Sequence, residues 1–328
     1  MESILLLDTS IGSGNKGDDI IMECMRKELD FLLKDNYELS LPTQVSSFHW
    51  YQVLKQSNSL MRFANCRLKF VGGSNILAKN MFTHYPQWNI NCFNSKPLYG
   101  SVLVGVGAGA GDERSNWYTR NLYNRVLSHK YIHSVRDERS RCYVAEELGL
   151  KALNTGCVTM WMLTPEFCKT IPSKKSERVV FTLTTRERYD ERYQLLIDML
   201  IENYNEVFFW PQGVDDYNYY LMFKNTEKVT VLSASKEAFQ TYLKENDTDY
   251  VGTRLHGGIY AMRHGRRAII IAIDERAREI NKSNHLNCID IKDIYQLQDF
   301  IKSDFETRVK MDYHAIRIWK NQFVKVKE

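Results

Sequence analysis

A chain of 328 residues is long for one ordinary domain and comfortable for two. Hydrophobic residues make up 44% and charged residues 26%, both ordinary globular values. The net charge of +4 is too mild for a nucleic-acid footprint but permits anionic ligands.

The seven cysteines are scattered without a CxxC pair, so the expectation is free thiols in a reducing compartment. The start, Met1-Glu2-Ser3-Ile4, lacks the pattern of a signal peptide, and no apolar run approaches membrane-spanning length. The expected location is cytoplasmic, with peripheral association at the inner face of a membrane also compatible.

Short β-rich runs alternate with helical patterns, the signature of parallel sheets built from βα units. The first half offers strands at 4–8, 68–72, 102–106 and 132–135, with a second-strand region at 37–41. Helical periodicity covers 18–33 and 116–128, and a shorter helix at 140–148 ends at Gly149. The first strand-to-helix turn, Gly12-Ser13-Gly14-Asn15-Lys16-Gly17-Asp18-Asp19, satisfies GxGxxG and raises the question of a dinucleotide. Against that, the loop is long, the 37–41 region ends in leucine rather than an acidic ribose ligand, and no Walker A lysine follows. Two readings stand: a plain glycine turn, or Asn15 and Asp18 as hydrogen-bonding ligands of a polyhydroxyl substrate.

Glycines at Gly72-Gly73 and at Gly105, Gly107, Gly109 and Gly111 suit close packing or close ligand approach. In Ser134-Val135-Arg136-Asp137-Glu138-Arg139-Ser140, Asp137 or Ser140 reads as a helix N-cap and Arg136 as a cation facing a ligand.

A polar stretch at 171–177 is expected to link domains. A second series follows, with strands at 179–183, 207–210, 229–232, 250–251, 268–273 and 288–291. Its helices are at 189–202, 236–245, 258–264, 275–282 and 294–303. Arg186 ends the first of these strands, and Asp274 and Arg276 follow the fifth. The sharpest turn is Thr253-Arg254-Leu255-His256-Gly257-Gly258. A helix start favours an anion, Arg254 adds a forked permanent cation, and His256 adds a group that exchanges protons near neutral pH. The other histidines (His49, His84, His129, His133, His264, His285 and His314) read as structural. The stretch 305–324 places Phe305, Val309, Tyr313, Ile316 and Phe323 on one helical face.

The expected architecture is α/β, two Rossmann-like domains facing a cleft: 1–170, a linker at 171–177, 178–304, and a closing helix at 305–328 that packs back on the N-terminal domain. Ligands of such sheets sit beyond the carboxyl ends of the strands.

The ordered set Gly14-Asn15-Lys16-Gly17-Asp18-Asp19, Phe70-Val71-Gly72-Gly73, Ser134-Val135-Arg136-Asp137 with Ser140, and Thr253-Arg254-Leu255-His256-Gly257 with Ile271-Ala272-Ile273-Asp274 resembles the polysaccharide pyruvyl transferase family. The resemblance implies a glycosyltransferase-B-like fold, phosphoenolpyruvate as donor and a sugar as acceptor, free or lipid-linked being left open; no His/Cys/Asp cluster has metal-ligand spacing, so no metal or cofactor is expected. The resemblance also implies donor contacts from Arg254, Leu255, His256 and Arg136; Arg186 and Arg276, from their places after strands, are second-choice cations. His256 is the expected general acid, and Asn15 and Asp18 the expected acceptor ligands, the latter from the opposite domain. Two features depart from the family: Arg276 stands where a lysine is common, and Gly156-Cys157 where an Asp-Pro pair is common. The rival readings are a transferase using a nucleotide sugar, a non-catalytic binder of anionic saccharides, and an enzyme using NAD.

Overall fold

The computed structural model describes residues 2–55, 58–82, 87–109 and 114–324; the side chains of residues 58, 59, 275 and 276 lie outside that description. His84, Asp112, Glu113 and the end of the glycine-rich turn at Gly111 fall outside it as well. Packing divides the chain into two units. The first comprises Met1–Ser13, Ile21–Trp161 and Asp312–Glu328; the second comprises Gly14–Ile20 and Met162–Met311. The glycine turn near the N-terminus thus groups with the second unit, and the chain crosses over ahead of the polar stretch at 171–177.

The first unit contains β1 (Ser3–Asp8), β2 (Tyr37–Pro42), β3 (Leu68–Gly72), β4 (Val102–Val104), β5 (His133–Val135) and β6 (Ala152–Asn154). β2, β1, β3 and β4 pair in that order, all parallel, and β5 pairs with β6. A bridge between Val106 and Val135 carries the order across from β4 to β5. Side chains replace much of the missing ladder there. The Leu103 N–H donates to His133 Nδ1 (3.2 Å), the Gly105 N–H to Ser134 Oγ (2.8 Å) and the Ala108 N–H to Ser140 Oγ (2.8 Å). Buried backbone donors need partners, and these residues supply them. Burial of His133 depresses its pKa to about 4, so it stays neutral, donating from Nε2 to the Ser128 carbonyl at 2.9 Å.

The closing helix is shorter than expected. Only Tyr313–Asn321 is helical, starting at Asp312, whose carboxylate accepts from the Ala315 N–H at 2.9 Å. The cap sets the start, and residues 303–312 run without helix. Phe305 therefore stays in the second unit, under the Arg267 guanidinium (4.0 Å) and beside Phe300. Trp319 and Phe323 pack on Phe70 of β3, and Trp161 packs on Trp319.

The second unit contains β7 (Arg178–Thr182), β8 (Glu206–Phe209), β9 (Thr230–Val231), β10 (Asp249–Gly252), β11 (Ala268–Ala272) and β12 (Cys288–Asp290). Their order is β12-β11-β10-β7-β8-β9, all parallel. The chain starts in the middle at β7, winds outward to β9, then returns to the other side of β7 at β10. The reversal between β7 and β10 is the topological switch point where doubly wound sheets bind ligands. A core of Val179, Phe181, Val251, Ile269 and Ile271 from the strands and Leu196, Ile197 and Leu200 from the helix Glu191–Asn203 holds this sheet. Among the described residues no helix is long and apolar enough to cross a membrane.

Candidate functional site

The switch point is built by close approach. A Cβ at Gly252 would lie 2.8 Å from the backbone N and O of Thr182, so only glycine lets the end of β10 meet β7. The Thr253 N–H then donates to the Thr182 carbonyl (3.1 Å), and the Thr253 hydroxyl donates to Thr184 Oγ1 (3.0 Å). The next residue, Arg254, takes extended geometry and starts the helix Leu255–Arg263.

The Arg254 guanidinium is held rather than loose. Its Nε–H donates to Asp216 Oδ2 (3.0 Å) and toward the Leu183 carbonyl (3.2 Å), and its Nη2 donates to Asp216 Oδ1. Asp216 is fully buried and also accepts from the Gly213 N–H (2.7 Å) and from the Thr185 N–H and hydroxyl (3.2 and 2.9 Å). One carboxylate therefore ties together the loops that follow β7, β8 and β10. It also neutralises part of the charge expected of the Arg254 clamp. The remaining Nη N–H groups and the N–H groups of the helix start are what Arg254 and its neighbours can offer an anion.

That helix start has no side-chain cap. Helices beginning after Asn116, Asp190, Ser235 and Asp274 each have one. The N–H groups and dipole of a helix start favour negative charge. Leu255 buries its side chain, so only its backbone N–H is available to a ligand. His256 occupies the second helical position and is nearly buried.

Gly257 and Gly258 have a packing role. A Cβ at Gly257 would fall 2.8 Å from Gln212 Oε1 and 2.9 Å from the Tyr250 hydroxyl; one at Gly258 would fall 2.9 Å from Ile270 and from Tyr250. These glycines let the helix lie on β10 and β11. Tyr250 reaches the same corner, sharing a 2.6 Å hydrogen bond with Thr182 Oγ1 and donating to the Arg254 carbonyl at 2.8 Å. Burial holds the Tyr250 pKa far above the ordinary phenol range, so it remains a donor.

The glycine turn near the N-terminus joins this site within the second unit. The Lys16 N–H donates to the Gln212 carbonyl and the Val214 N–H to the Gly14 carbonyl, both at 2.8 Å. Asn15 Oδ1 accepts from Gln212 Nε2 (2.9 Å) and from the Gly17 N–H (3.0 Å). A Cβ at Gly17 would stand 3.3 Å from His256 Nδ1, so this glycine brings the turn against the imidazole. Asp18 is nearly buried in the first turn of the helix Lys16–Glu28. Asn15, Asp18, Arg254 and His256 thus belong to one unit, where Asp18 was expected from the opposite domain.

The other expected cations stand apart. Arg186, on the loop after β7, is exposed and donates to the Ile273 carbonyl at 3.1 Å; Arg188 beside it is exposed too. The Arg276 side chain lies outside the described residues. Asp274 caps its helix, accepting from the Ala277 N–H at 2.9 Å. Arg136 lies in the first unit, nearly buried, where it bonds Asn75 and the Asp137 carboxylate (3.3 Å) and packs flat on Gly107, whose Cβ would overlap it. Asp137 accepts from the Ser140 N–H at 2.7 Å, the expected cap. Ser134 and Ser140 serve the sheet, as described above.

Gln212 and Asp216 belong to no motif in the sequence. Trp210-Pro211-Gln212-Gly213 after a strand was the available signal, because it marks a turn at the carboxyl end of β8. Among the described residues no group of three or more His, Cys, Asp or Glu side chains could hold a metal ion.

Known structures share this fold at low identity. Staphylococcus aureus MnaA, solved with UDP, is 10% identical over 100% of this chain and 99% of its own, with a TM-score of 0.54. The UDP-GlcNAc 2-epimerase of Methanocaldococcus jannaschii, solved with UDP-GlcNAc and UDP, is 12% identical over 98% of each chain, with a TM-score of 0.51. These likenesses identify the α/β, glycosyltransferase-B-like fold of two Rossmann-like units. No curated protein matches the sequence. The sequence profile of the polysaccharide pyruvyl transferases matches residues 15–275, a span that includes every site residue of the second unit except Arg276. The chain belongs to the polysaccharide pyruvyl transferase family.

Proposed function

We propose that this protein moves the pyruvyl group of phosphoenolpyruvate onto two neighbouring hydroxyls of a sugar, in a surface polysaccharide or its lipid-linked precursor, and releases phosphate. One observation carries the reading: a guanidinium fixed by a buried carboxylate, an imidazole and an uncapped helix start meet at the switch point of the second unit. In the proposed reaction His256 gives a proton to the methylene carbon of the donor, leaving an oxocarbenium-like centre beside the carboxylate. One sugar hydroxyl adds to that centre, phosphate departs, and the second hydroxyl closes the ketal. Arg254 and the helix N–H groups hold the donor's anionic groups and stabilise charge on the leaving phosphate. Asn15 and Asp18, on the turn that Gly17 brings against His256, orient the acceptor. Arg136 and Arg186 are further donor cations in this reading, and Arg276 takes the place of the common lysine without its ability to give up a proton.

His256→Ala should lower phosphate release by roughly two to four orders of magnitude, the usual range for losing a general acid. Wild-type release from that variant with a working acceptor would remove His256 from the mechanism. A second reading, transfer from a nucleotide sugar, is favoured by the UDP bound in both structural relatives. A rise in melting temperature with UDP and none with phosphoenolpyruvate would establish it instead.

A further inference from the structure

Charge is distributed very unevenly along this chain. Residues 39–136 contain eleven Lys and Arg and only two acids, Asp112 and Glu113, a sequence surplus of nine, although Lys69 and Arg136 are buried and Arg67 and Lys79 pair with Glu2 and Glu147 outside the stretch. The whole chain carries +4, so the remaining residues are net negative by five. All of 39–136 belongs to the first unit.

The same stretch exposes large apolar side chains. Trp50, Leu54, Phe82, Phe93 and Trp117 are each between 60% and 72% exposed. Contacts join Phe82, Trp117 and the turn that carries Phe93, and one hydrogen bond ties that turn to the loop ahead of Trp50 and Leu54. Phe82 stacks on Tyr118 (4.2 Å between ring centres) and lies 6.4 Å from Trp117. The Tyr118 hydroxyl accepts from the N–H of Cys92, next to Phe93. Asn94 Nδ2 donates to Ser46 Oγ at 3.1 Å, in the loop that leads to the helix Trp50–Lys55. Interleaved with these side chains are Lys55, Lys96, Arg120 and Arg125, all exposed and without a salt bridge among the described residues.

We infer that this face of the first unit docks on an anionic lipid bilayer surface. Exposed apolar groups in such number mark an interaction site. Tryptophan and phenylalanine tips gain from entering the headgroup region, and lysine and arginine gain from anionic headgroups. A soluble polyanion would satisfy the cations but give nothing to Leu54 or Phe93. A bilayer interface satisfies both sets at once. The inference rests on the distribution of charge and exposed rings, and stands whatever the reaction at the second unit.

The test uses the full chain with vesicles of phosphatidylcholine alone and of phosphatidylcholine with about one third phosphatidylglycerol. The protein should sediment with the anionic vesicles and not the neutral ones, with a blue shift of tryptophan emission. Arg120→Gln and Arg125→Gln should weaken binding about fivefold each, and Phe93→Ala with Trp117→Ala should weaken binding and reduce the blue shift, Trp50 keeping part of it. These positions are exposed, so unchanged thermal unfolding of the variants confirms that the fold is intact. Equal binding to both vesicles, no binding, or variants that bind like the wild type would overturn the inference. So would a dimer in solution that Trp117→Ala dissociates without any effect on vesicle binding.

Discussion

Removing the Arg254 side chain leaves Asp216 fully buried with only the Gly213 and Thr185 donors. Breaking a buried ion pair from one side costs about 3–5 kcal/mol. The lower end applies here, about 3 kcal/mol, because 18% of the Arg254 side chain reaches solvent. Against a typical domain stability of about 5–15 kcal/mol, that loss is large but survivable. Asp216→Asn in the Arg254→Ala background removes the stranded charge and should restore about 1–2 kcal/mol, so the two changes couple rather than add. Urea unfolding of the four proteins in the cycle measures the coupling, and phosphate release from phosphoenolpyruvate measures the function. The double variant should regain stability yet stay as inactive as Arg254→Ala, because the donor's guanidinium contact is still missing. A coupling below about 0.5 kcal/mol would mean that the pair is not formed in solution. Recovered phosphate release in the double variant would mean that Arg254 only supports the fold.

Two further perturbations test the packing around the site and the sheet. Gly257→Ala places a methyl 2.8 Å from Gln212 Oε1 and 2.9 Å from the Tyr250 hydroxyl, so it should destabilise by about 1–3 kcal/mol; an unchanged unfolding midpoint would show that the helix has room to spare on β10. His133 is held at a pKa of about 4, below the ordinary 6.5, so the unfolded chain takes up its proton first as pH falls. Its contribution is intact above pH 6.5 and declines down to pH 4, by up to about 3 kcal/mol. Unfolding midpoints across that range should fall for the wild type and show a shallower slope in His133→Gln.

Much of the fold was legible because most strands are short apolar runs between turn residues. The 4–8, 68–72 and 268–273 runs lie within one residue of β1, β3 and β11. The Arg-Leu-His turn was legible too, but its helix was expected from 258 and begins at Leu255. Two glycines have poor helix propensity, and their tight packing on Tyr250 and Ile270 overrides it. The join of β4 to β5 was hidden because His133 and Ser134 side chains replace the backbone ladder, a role no periodicity reports. Asp216 was hidden for a different reason. Asp215-Asp216 reads as an ordinary polar turn, and only the sheet order brings it under Arg254 from a distant strand. The N-terminal glycine turn, weak as a dinucleotide motif, lies against His256 because its backbone bonds the loop after β8 at Gln212 and Val214, a pairing no local pattern reports.

The central claim is that the donor is held at the start of the helix Leu255–Arg263, at the β7–β10 switch point. A crystal soaked with phosphoenolpyruvate measures this directly. The account predicts the donor's phosphate or carboxylate within hydrogen-bonding reach of the Arg254 guanidinium and the Leu255–Gly257 N–H groups, with its methylene carbon facing His256. Donor density bound elsewhere, with that helix start unoccupied, would contradict it.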